Sequence, residues 1–282
     1  MLLLRDPSTF KRRALVYSRR SWQSMRGSGL NRPCAFLHLP KCGGTSLAAG
    51  LYGTVPLHLR IGVIDAISTR RAAAITAFGR DDPVLCHEDL EHGHLTFALR
   101  QQMVLVHMAW GSRLIHGHFF LDDKILEHFA SGYGLVTMMR DPADRALSNY
   151  RMAVRAGVIP DDVDAWLDGP VGQSMAQACL RYLFGQNVVP PKDLARALDT
   201  ALGRLEMFSV IGFLENVPAF QSEFARQFGP RPAMPSFNVG SGPAVRLTDG
   251  QAERLERLVA ADRQLYRHAC GMFPELAPGA TP

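Results

Sequence analysis

Short apolar runs alternate along this chain with longer stretches in which apolar residues recur every three or four positions. The short runs are bounded by turn residues and predict buried strands at residues 34–39, 83–86, 113–116, 134–139 and 208–213. The longer stretches predict helices at residues 47–52, 67–78, 97–110, 121–130, 142–156 and 216–228. Strands that alternate with helices favour a three-layer α/β fold, in which helices flank a central parallel sheet. Ligands of such sheets bind at the carboxyl ends of the strands.

The C-terminal half of the chain is mainly helical by the same criterion. Residues 161–204 predict helices that are separated at Pro190 and Pro191. Residues 229–243 are rich in proline and glycine and predict a loop, whereas residues 247–270 predict one long amphipathic helix. The sequence contains no internal repeat and no low-complexity tract. The simplest organisation is a basic N-terminal extension at residues 1–32, a single domain at 33–275 and a C-terminal tail at 276–282.

The turn that follows the first predicted strand has the composition of an anion-binding loop. Gly43 and Gly44 permit a sharp turn with no side chain between the backbone and a ligand. Thr45 and Ser46 are expected to cap the next helix, whose positive N-terminus lies beside Lys41. These features predict a site for phosphate or sulfate. The turn is not the nucleoside-triphosphate loop Gly-x-x-x-x-Gly-Lys-Ser/Thr, because the lysine precedes the glycine pair.

A second candidate anion site lies at residues 136–150. Arg140 ends an apolar strand, and its guanidinium group can donate to two oxygens of one phosphate. Asp141 and Pro142 have the residue types of a helix cap and a first helical position. Ser148 follows about two turns into that helix and can add a hydroxyl donor.

Composition and charge exclude several classes of function. The chain has 31 Lys and Arg against 26 Asp and Glu, and this net charge of +5 suits an anionic cofactor but is too small to indicate nucleic acid. The five cysteines are scattered and contain no Cys-x-x-Cys pair, so neither a zinc ribbon nor a disulfide framework is indicated. A reducing compartment, and hence a cytoplasmic location, fits this cysteine usage. No apolar run approaches the roughly 20 residues that a transmembrane helix needs.

The N-terminal extension is strongly basic. We expect either a solvated arm, which is the favoured interpretation, or a helix that lies on an acidic membrane surface or an oligosaccharide. Only Asp6 is acidic between residues 5 and 32, and the basic residues there are Arg5, Lys11, Arg12, Arg13, Arg19, Arg20, Arg26 and Arg32.

Residues 87–94, His-Glu-Asp-Leu-Glu-His-Gly-His, form a dense polar cluster. The cluster departs from the zinc motif His-Glu-x-x-His, because Glu91 stands where the second histidine belongs. We expect a solvated loop near the active site, with Glu88 as a candidate acid or base, and we expect no metal ion.

The two candidate anion sites resemble the cofactor-binding segments of sulfotransferases that use PAPS (3′-phosphoadenosine 5′-phosphosulfate). Pro-Lys-x-Gly-Gly-Thr-Ser after a strand is similar to their 5′-phosphosulfate loop, and Arg-Asp-Pro with a following serine is similar to their 3′-phosphate segment. The family usually has Thr or Ser where Cys42 stands, so a hydroxyl contact would be lost there while a backbone contact would remain. By resemblance, the residues that bind the 5′ end are Pro40, Lys41, Cys42, Gly43, Gly44, Thr45 and Ser46, and those that bind the 3′-phosphate are Arg140 and Ser148.

His116-Gly117-His118 lies between these segments and resembles the His-Gly-His of the carbohydrate branch of the family, of the heparan sulfate 2-O-type. Residues 210–215 and 262–266 are similar to two further segments of that branch, and Asp262 and Tyr266 in them are expected to be structural. The resemblance spans about residues 34–270 and is specific at the two cofactor segments. It implies a fold similar to that of P-loop NTPases.

The resemblance implies transfer of a sulfuryl group from PAPS to a hydroxyl acceptor, with PAP as the product and no metal requirement. Lys41 would stabilise the bridging oxygen as the S–O bond breaks. A base must take the proton of the acceptor hydroxyl. We rank His118 first, His116 second and Glu88 third, because a histidine titrates near neutral pH.

The sequence leaves the acceptor and several alternatives open. An oligosaccharide or polysaccharide hydroxyl is the first expectation, and a tyrosine-containing peptide is the second, since tyrosine-sulfating relatives use a glutamate base. A P-loop kinase or nucleotidase would need ATP and magnesium. A non-catalytic nucleotide-binding module would bind PAP without turnover. Whether the chain forms a homodimer is also left open.

Overall fold

Five parallel strands form one sheet at the centre of the computed structural model, which describes residues 7–129, 131–234 and 245–280. The strands are β1 (Cys34–Leu37), β2 (Ile61–Ile64), β3 (Leu114–Gly117), β4 (Gly134–Met139) and β5 (Phe208–Phe213). Their order in the sheet is β2-β3-β1-β4-β5, and helices flank the sheet. This architecture confirms the predicted three-layer α/β fold. Predictions for residues 1–6, 130, 235–243 and 281–282 lie outside the described residues.

The helices agree with most of the predicted ranges, including the helical region after the fourth strand. Pro190 and Pro191 separate two helices there, as predicted, and Asp141 caps a helix that has Pro142 in its first turn. The helices are α1 (Pro7–Met25), α2 (Gly44–Tyr52), α3 (Ala66–Phe78), α4 (Gly93–Ala109), α5 (Asp123–Phe129), α6 (Pro142–Arg155), α7 (Val163–Asp168), α8 (Pro170–Ala176), α9 (Ala178–Phe184), α10 (Leu194–Leu205), α11 (Val217–Phe228), α12 (Asp249–Leu258) and α13 (Ala260–Met272).

The central strands are buried along their whole length, as continuous apolar sequences in a covered parallel sheet should be. Leu37 of β1 pairs with Gly117 of β3 on one side and with Thr137 of β4 on the other. The residues that follow these three strands therefore leave the sheet side by side. This register decides which side chains can meet at the carboxyl edge.

The predicted strand at residues 83–86 is wrong. Those residues form turns, and the side chain of Asp82 accepts a hydrogen bond from the backbone N–H of Val84 at 2.8 Å. The strand at this side of the sheet is instead β2, whose short sequence includes Gly62 and the 41% exposed Val63. A four-residue strand with one exposed face gives little apolar pattern to detect.

The single helix predicted at residues 247–270 is two helices, with the break at Val259. Leu255 and Val259 pack in a cluster with residues of α6, α7 and α8, whereas Leu265 and Ala269 belong to the central core. The apolar side chains of one straight helix would not reach both clusters. The break at Val259 directs the apolar side chains of α12 to one cluster and those of α13 to the other. The predicted tail also begins inside the core, because Leu276 is only 2% exposed.

Residues 7–25 form helix α1 rather than the solvated arm that the composition favoured. The guanidinium group of Arg20 donates to the backbone carbonyls of Val55, Pro56 and Leu59 at 2.9 to 3.1 Å. The hydroxyl of Ser24 accepts from the backbone N–H of Leu57 at 2.8 Å. These bonds fix α1 to the segment between α2 and β2. Within the described residues, no helix combines the length and the apolar character that a bilayer crossing requires.

A buried ion pair between α6 and α13 holds the C-terminal helices to the sheet. Arg145 and Asp262 are fully buried, with their charged atoms 3.0 Å apart. Asp262 also accepts from the backbone N–H groups of Cys179 and Leu180 at 2.9 Å, at the start of α9. Its place in the fold agrees with the structural role expected from the sequence.

We expect Asp262→Ala to lower the free energy of unfolding by about 3–5 kcal/mol, because it leaves the buried Arg145 charge without a partner. Urea denaturation of both proteins at neutral pH measures the difference. Glu253→Ala is the matched control, since Glu253 pairs with Arg257 on the surface of α12 and both side chains are at least 69% exposed. The control should match the wild type within error. A loss below 1 kcal/mol for Asp262→Ala would contradict the assignment.

Candidate functional site

The carboxyl ends of β1, β3 and β4 bring the predicted site residues together. His38 follows β1 and His118 follows β3, and their rings stack with centroids 4.2 Å apart. Arg140 follows β4, and its charge acts on Lys41 in the loop after β1. The two candidate anion sites and the His-Gly-His segment therefore lie at one edge of the sheet, where ligands of parallel sheets bind.

The loop between β1 and α2 is built on two left-handed residues. Gly43 has φ of 89° and forms the N-cap of α2, and Lys41 has φ of 66°, which is uncommon for a residue with a Cβ. The prediction that Thr45 and Ser46 cap the helix is wrong, because the chain enters α2 through this left-handed glycine. Thr45 and Ser46 lie in the first turn of α2, where backbone N–H groups have no acceptor within the helix.

Gly44 lies against the ring of His38. A Cβ added at Gly44 would come within 3.0 Å of Cε1 and 3.2 Å of Nε2 of His38. A side chain at Gly44 would therefore crowd the ring of His38. His38 was not singled out in the sequence, although its position directly after the central strand places it one residue beyond the paired level of Leu37 and Gly117.

The side chain of Cys42 faces the interior. It is fully buried, its Sγ lies 3.6 Å from the carbonyl oxygen of Pro40, and burial raises the pKa of the thiol to about 12. The residue that departs from the sulfotransferase pattern thus points away from any ligand at the loop. Ligand contacts at this position are limited to the backbone.

Positive charge is concentrated beside the loop. Burial lowers the pKa of Lys41, and so do the nearby charges of Arg155, Arg140 and Arg151, in that order. The Nζ of Lys41 lies 3.4 Å from Sδ of Met152 on α6. The Nη2 of Arg140 lies 3.8 Å from Oδ2 of Asp144, whose side chain is 63% exposed. We call Lys41, Arg140, Arg151 and Arg155 the cation cluster.

Ser148 belongs to the same part of α6 as the cation cluster. It is partly buried and lies three residues before Arg151 and seven before Arg155, so the three share one face of the helix. Arg151 and Arg155 were not among the predicted site residues. Their helical spacing from Ser148 was the signal that could have found them.

The Arg-Asp-Pro turn is held in place by residues from the C-terminal half. Asp141 accepts from Arg263 and from the backbone N–H of Ala143, and its own N–H donates to Glu215 Oε1 at 2.8 Å. The hydroxyl of Tyr266 donates to Glu215 Oε2 at 3.2 Å. The family-like segments at 210–215 and 262–266 therefore position the turn that carries Arg140.

His118 has the geometry of a neutral base. Its Nδ1 lies 2.6 Å from the carbonyl oxygen of His38, which can only accept, so Nδ1 carries the proton and Nε2 keeps its lone pair. Burial lowers its pKa well below the usual value, and the charges of His38 and Arg100 act in the same direction. The residue is nevertheless partly exposed, unlike His38 and His116, which are buried.

His116 is less accessible than His118. It is 6% exposed, its Nδ1 lies 3.0 Å from the hydroxyl of Tyr52, and its ring stacks on Phe36. The Nε2 atoms of His116 and His38 are buried and have no hydrogen-bond partner among the described residues. His116 is therefore a weaker candidate for the base than its neighbour.

Glu88 is engaged in ion pairs and does not lie in a solvated loop. It is 6% exposed, accepts from Arg70 Nε at 2.7 Å and also accepts from Arg100. Burial alone would raise the pKa of Glu88, but the charges of Arg100 and Arg70 outweigh burial and lower it. Arg100 also donates to the carbonyl oxygen of His118 at 3.2 Å, so Glu88 supports the backbone of the candidate base. The prediction of a solvated loop at residues 87–94 is therefore wrong for His87 and Glu88, which are buried, whereas Glu91 and His94 are exposed.

Metal coordination has no candidate in the described part of the chain. Across residues 7–129, 131–234 and 245–280, no group of three or more His, Cys, Asp and Glu side chains has the arrangement of a metal site. The three histidines near the site contact one another through stacked rings and through the carbonyl of His38.

The buried histidines predict a loss of stability in acid. Burial, followed by the charge of Lys41, lowers the pKa of His38 to about 4, and burial also lowers the pKa of His116. When the pH falls below about 6.5, the ordinary pKa of histidine, these residues bind protons in the unfolded chain but stay neutral in the folded chain. The free energy of unfolding should therefore fall, as the pH falls from about 6.5 towards 4, by about 1.4 kcal/mol per pH unit for each residue.

Urea denaturation at several pH values between 7.5 and 4.5 measures this slope. His116→Gln should reduce it, whereas His58→Gln should leave it unchanged because His58 is exposed. Equal slopes in the wild type and in His116→Gln would show that His116 does not contribute.

Comparison with known proteins adds no relative to this picture. No family model matches the chain, and no curated protein shows significant similarity to it.

Proposed function

We propose that this protein is a PAPS-dependent O-sulfotransferase whose acceptor is a hydroxyl group of an oligosaccharide or polysaccharide. The observation that carries the proposal is the juxtaposition of the cation cluster with His118 at the ends of neighbouring strands. One end of the site attracts a polyanion, and the other presents a neutral imidazole that can take a proton. The resemblance of the loop after β1 and of the Arg-Asp-Pro turn to family segments supports the same reading.

The residues present fit a nucleotide that carries phosphate at both ends. Repulsion within the cation cluster would be relieved by bound phosphate, and backbone N–H groups of the first turn of α2 lie beside Lys41. Gly43, Gly44, Thr45 and Ser46 would bind the 5′ end through this turn, and Pro40 and Cys42 would shape it. Arg140 and Ser148 would bind the 3′-phosphate. The bound PAPS supplies the sulfuryl group.

His118 would take the proton of the acceptor hydroxyl at Nε2. The carbonyl of His38 holds the opposite ring nitrogen, and Arg100 holds the backbone carbonyl of His118, so the ring is fixed before the acceptor arrives. The ammonium group of Lys41 would stabilise the negative charge that develops on the leaving oxygen. The acceptor oxygen and the leaving oxygen must lie on opposite sides of sulfur for in-line transfer.

The alternative of a tyrosine-peptide acceptor loses its support. That reading relied on a glutamate base, and the carboxylate of Glu88 is occupied by two guanidinium groups, which keep it ionised and engaged. A reducing, cytoplasmic location is also part of the proposal, and it is consistent with the five cysteines, all of which are free thiols.

The first test is ligand-induced stabilisation. PAP at about 100 times its dissociation constant should raise the free energy of unfolding by about 2.7 kcal/mol, which a thermal-shift assay detects. Arg140→Ala should weaken PAP binding about ten- to a hundredfold, because a charged hydrogen-bond pair contributes about 1.5–3 kcal/mol. Arg257→Ala, on the exposed surface of α12, is the control. Stabilisation by ATP with magnesium but not by PAP would refute the proposal.

The second test separates binding from catalysis. His118→Ala should lower kcat by about 10²- to 10⁴-fold through loss of the base, while stabilisation by PAP stays at the wild-type level. His94→Ala is the control, since this histidine is exposed at the start of α4. Sulfate transfer from PAPS to a panel of glycans and tyrosine peptides provides the assay. Near-normal turnover of His118→Ala would remove this residue from the mechanism, and PAP binding without any turnover would favour a non-catalytic module.

The same assay has a defined pH dependence. The neutral form of His118 is the active base, and its pKa lies well below the usual value near 6.5. Activity should therefore stay constant from about pH 8 to 6.5 and should decline only at lower pH, as the ring takes up a proton. A decline centred at or above pH 6.5 would contradict this assignment of the base.

A further inference from the structure

Helix α1 exposes a row of large apolar side chains along one face. The exposed fractions are 64% for Phe10, 58% for Tyr17, 50% for Trp22 and 74% for Met25. At 3.6 residues per turn these four positions fall within an arc of about 140° around the helix. We call Phe10, Tyr17, Trp22 and Met25 the α1 stripe. Lys11, Ser18 and Ser21 lie within the same arc, so this face is amphipathic. Scattered exposed apolar residues are normal, but four large ones concentrated on one helix face indicate an interaction surface.

Helix α1 is already bound to the rest of the domain through residues outside the α1 stripe. Arg20 and Ser24 fix the helix to the segment between α2 and β2, and Arg19 donates to the carbonyl oxygen of Ala233 at 2.9 Å. Arg19 and Arg20 thus lie on other faces of the helix, and Ser24 lies beside the edge of the stripe that carries Tyr17. The stripe is held outward by a helix whose position is already fixed.

The charges around the α1 stripe are all positive. Lys11, Arg13 and Arg26 are exposed, and the guanidinium group of Arg26 lies 4.3 Å from the ring centroid of Trp22. The sequence has no Asp or Glu between Pro7 and Arg32. The surface therefore combines aromatic and apolar side chains with cations and has no acidic group of its own.

We propose that the α1 stripe docks on an anionic lipid bilayer surface, with the helix lying in the plane of the interface. Tyr and Trp prefer the boundary between headgroups and acyl chains, because their rings are apolar and carry one polar atom. Lys and Arg beside them can reach the headgroups of acidic lipids. An amphipathic helix with cations and aromatic residues is the usual form of such an interfacial anchor.

The charge pattern argues against two other occupants. A second copy of this chain that paired through the same surface would bring Lys11, Arg13 and Arg26 of both copies together without acidic partners. An anionic polysaccharide would satisfy the cations but would leave four large apolar side chains in water. An anionic bilayer surface both pairs with the cations and removes the apolar side chains from water.

Binding of the full chain to vesicles tests the proposal. The protein should co-sediment with phosphatidylcholine vesicles that contain about a third phosphatidylglycerol, and binding to pure phosphatidylcholine should be at least tenfold weaker. Raising the salt concentration should weaken binding to the acidic vesicles, because the electrostatic part is screened.

Tryptophan fluorescence locates the contact. The chain has three tryptophans, of which Trp166 is buried and Trp110 is 61% exposed outside α1. In a Trp110→Phe background, acidic vesicles should shift the emission of Trp22 to the blue, and brominated acyl chains should quench it. No shift and no quenching on bound vesicles would overturn the assignment of α1 as the contact.

Variants separate the apolar and charged contributions. The triple variant Phe10→Ser, Tyr17→Ser and Met25→Ser should bind acidic vesicles at least tenfold more weakly, and Lys11→Gln and Arg13→Gln should each cost about fivefold. Val188→Ser is the control, because Val188 is 68% exposed outside α1. Unchanged melting temperatures confirm that the variants fold.

Several results would overturn the proposal. They are the absence of binding to acidic vesicles, binding that the triple variant leaves unchanged, and binding as strong to neutral vesicles as to acidic ones. A dimer that forms in solution and that the triple variant abolishes would assign the stripe to a second copy instead. Retention on heparin without vesicle binding would assign it to a polyanion.

Discussion

Mutual repulsion among four cations is the constraint around which the candidate site is arranged. Lys41 lies near Arg140, Arg151 and Arg155, and its lowered pKa records their combined field together with burial. Placing like charges together opposes folding unless other interactions hold them in position. Three carboxylates at the same end of the molecule bind other partners: Asp141 and Glu215 bind donors of α13, and Asp262 is buried against Arg145. Asp144, whose side chain is 63% exposed, lies 3.8 Å from Arg140, and the charges that act on Lys41 are mainly positive, which suits the anionic ligand that we propose.

His38 connects the two halves of the proposed chemistry. Its backbone carbonyl fixes the tautomer of His118, its ring stacks on that residue, and the Cε1–Nε2 edge of the ring lies close to Gly44 of the loop. A movement of the loop would therefore shift His38, and His38 would in turn shift the candidate base His118. In the proposed mechanism, His38 would position His118 relative to the loop after β1, and it needs no contact with a substrate to act in this way.

The sequence predicted the parts of the molecule that local pattern determines. β4 and β5 were found with their observed bounds, because a fully buried strand is a continuous apolar run that ends at turn residues. The edge strand β2 was missed because one of its faces is exposed and Gly62 interrupts it. The break at Val259 was missed because both halves of that region keep helical spacing, and only the position of two separate apolar clusters requires the turn.

The candidate site also has parts that the local sequence predicts and parts that it does not. The loop after β1 and the Arg-Asp-Pro turn are contiguous in sequence, so their chemistry could be predicted. The ion pairs of Glu88 could not be predicted, because its partners Arg70 and Arg100 lie 18 and 12 residues away and the local sequence pattern does not indicate them. A polar cluster in a sequence does not by itself distinguish a solvated loop from a buried network of ion pairs, since both need the same residue types.

The burial of Cys42 bears on how the loop can recognise an anion at all. If the side chain at this position faced the ligand, replacing a hydroxyl by a thiol would weaken a hydrogen bond and place a poorer donor in the site. The side chain instead packs inward among the residues of the core, and its raised pKa keeps it neutral. Recognition of the proposed anion would then reside in the backbone of this loop and in Lys41, whose left-handed conformation, with that of Gly43, sets the path of the turn. The departure from the sulfotransferase pattern at Cys42 therefore lies beneath the loop, and the proposed contacts with an anion do not involve its side chain.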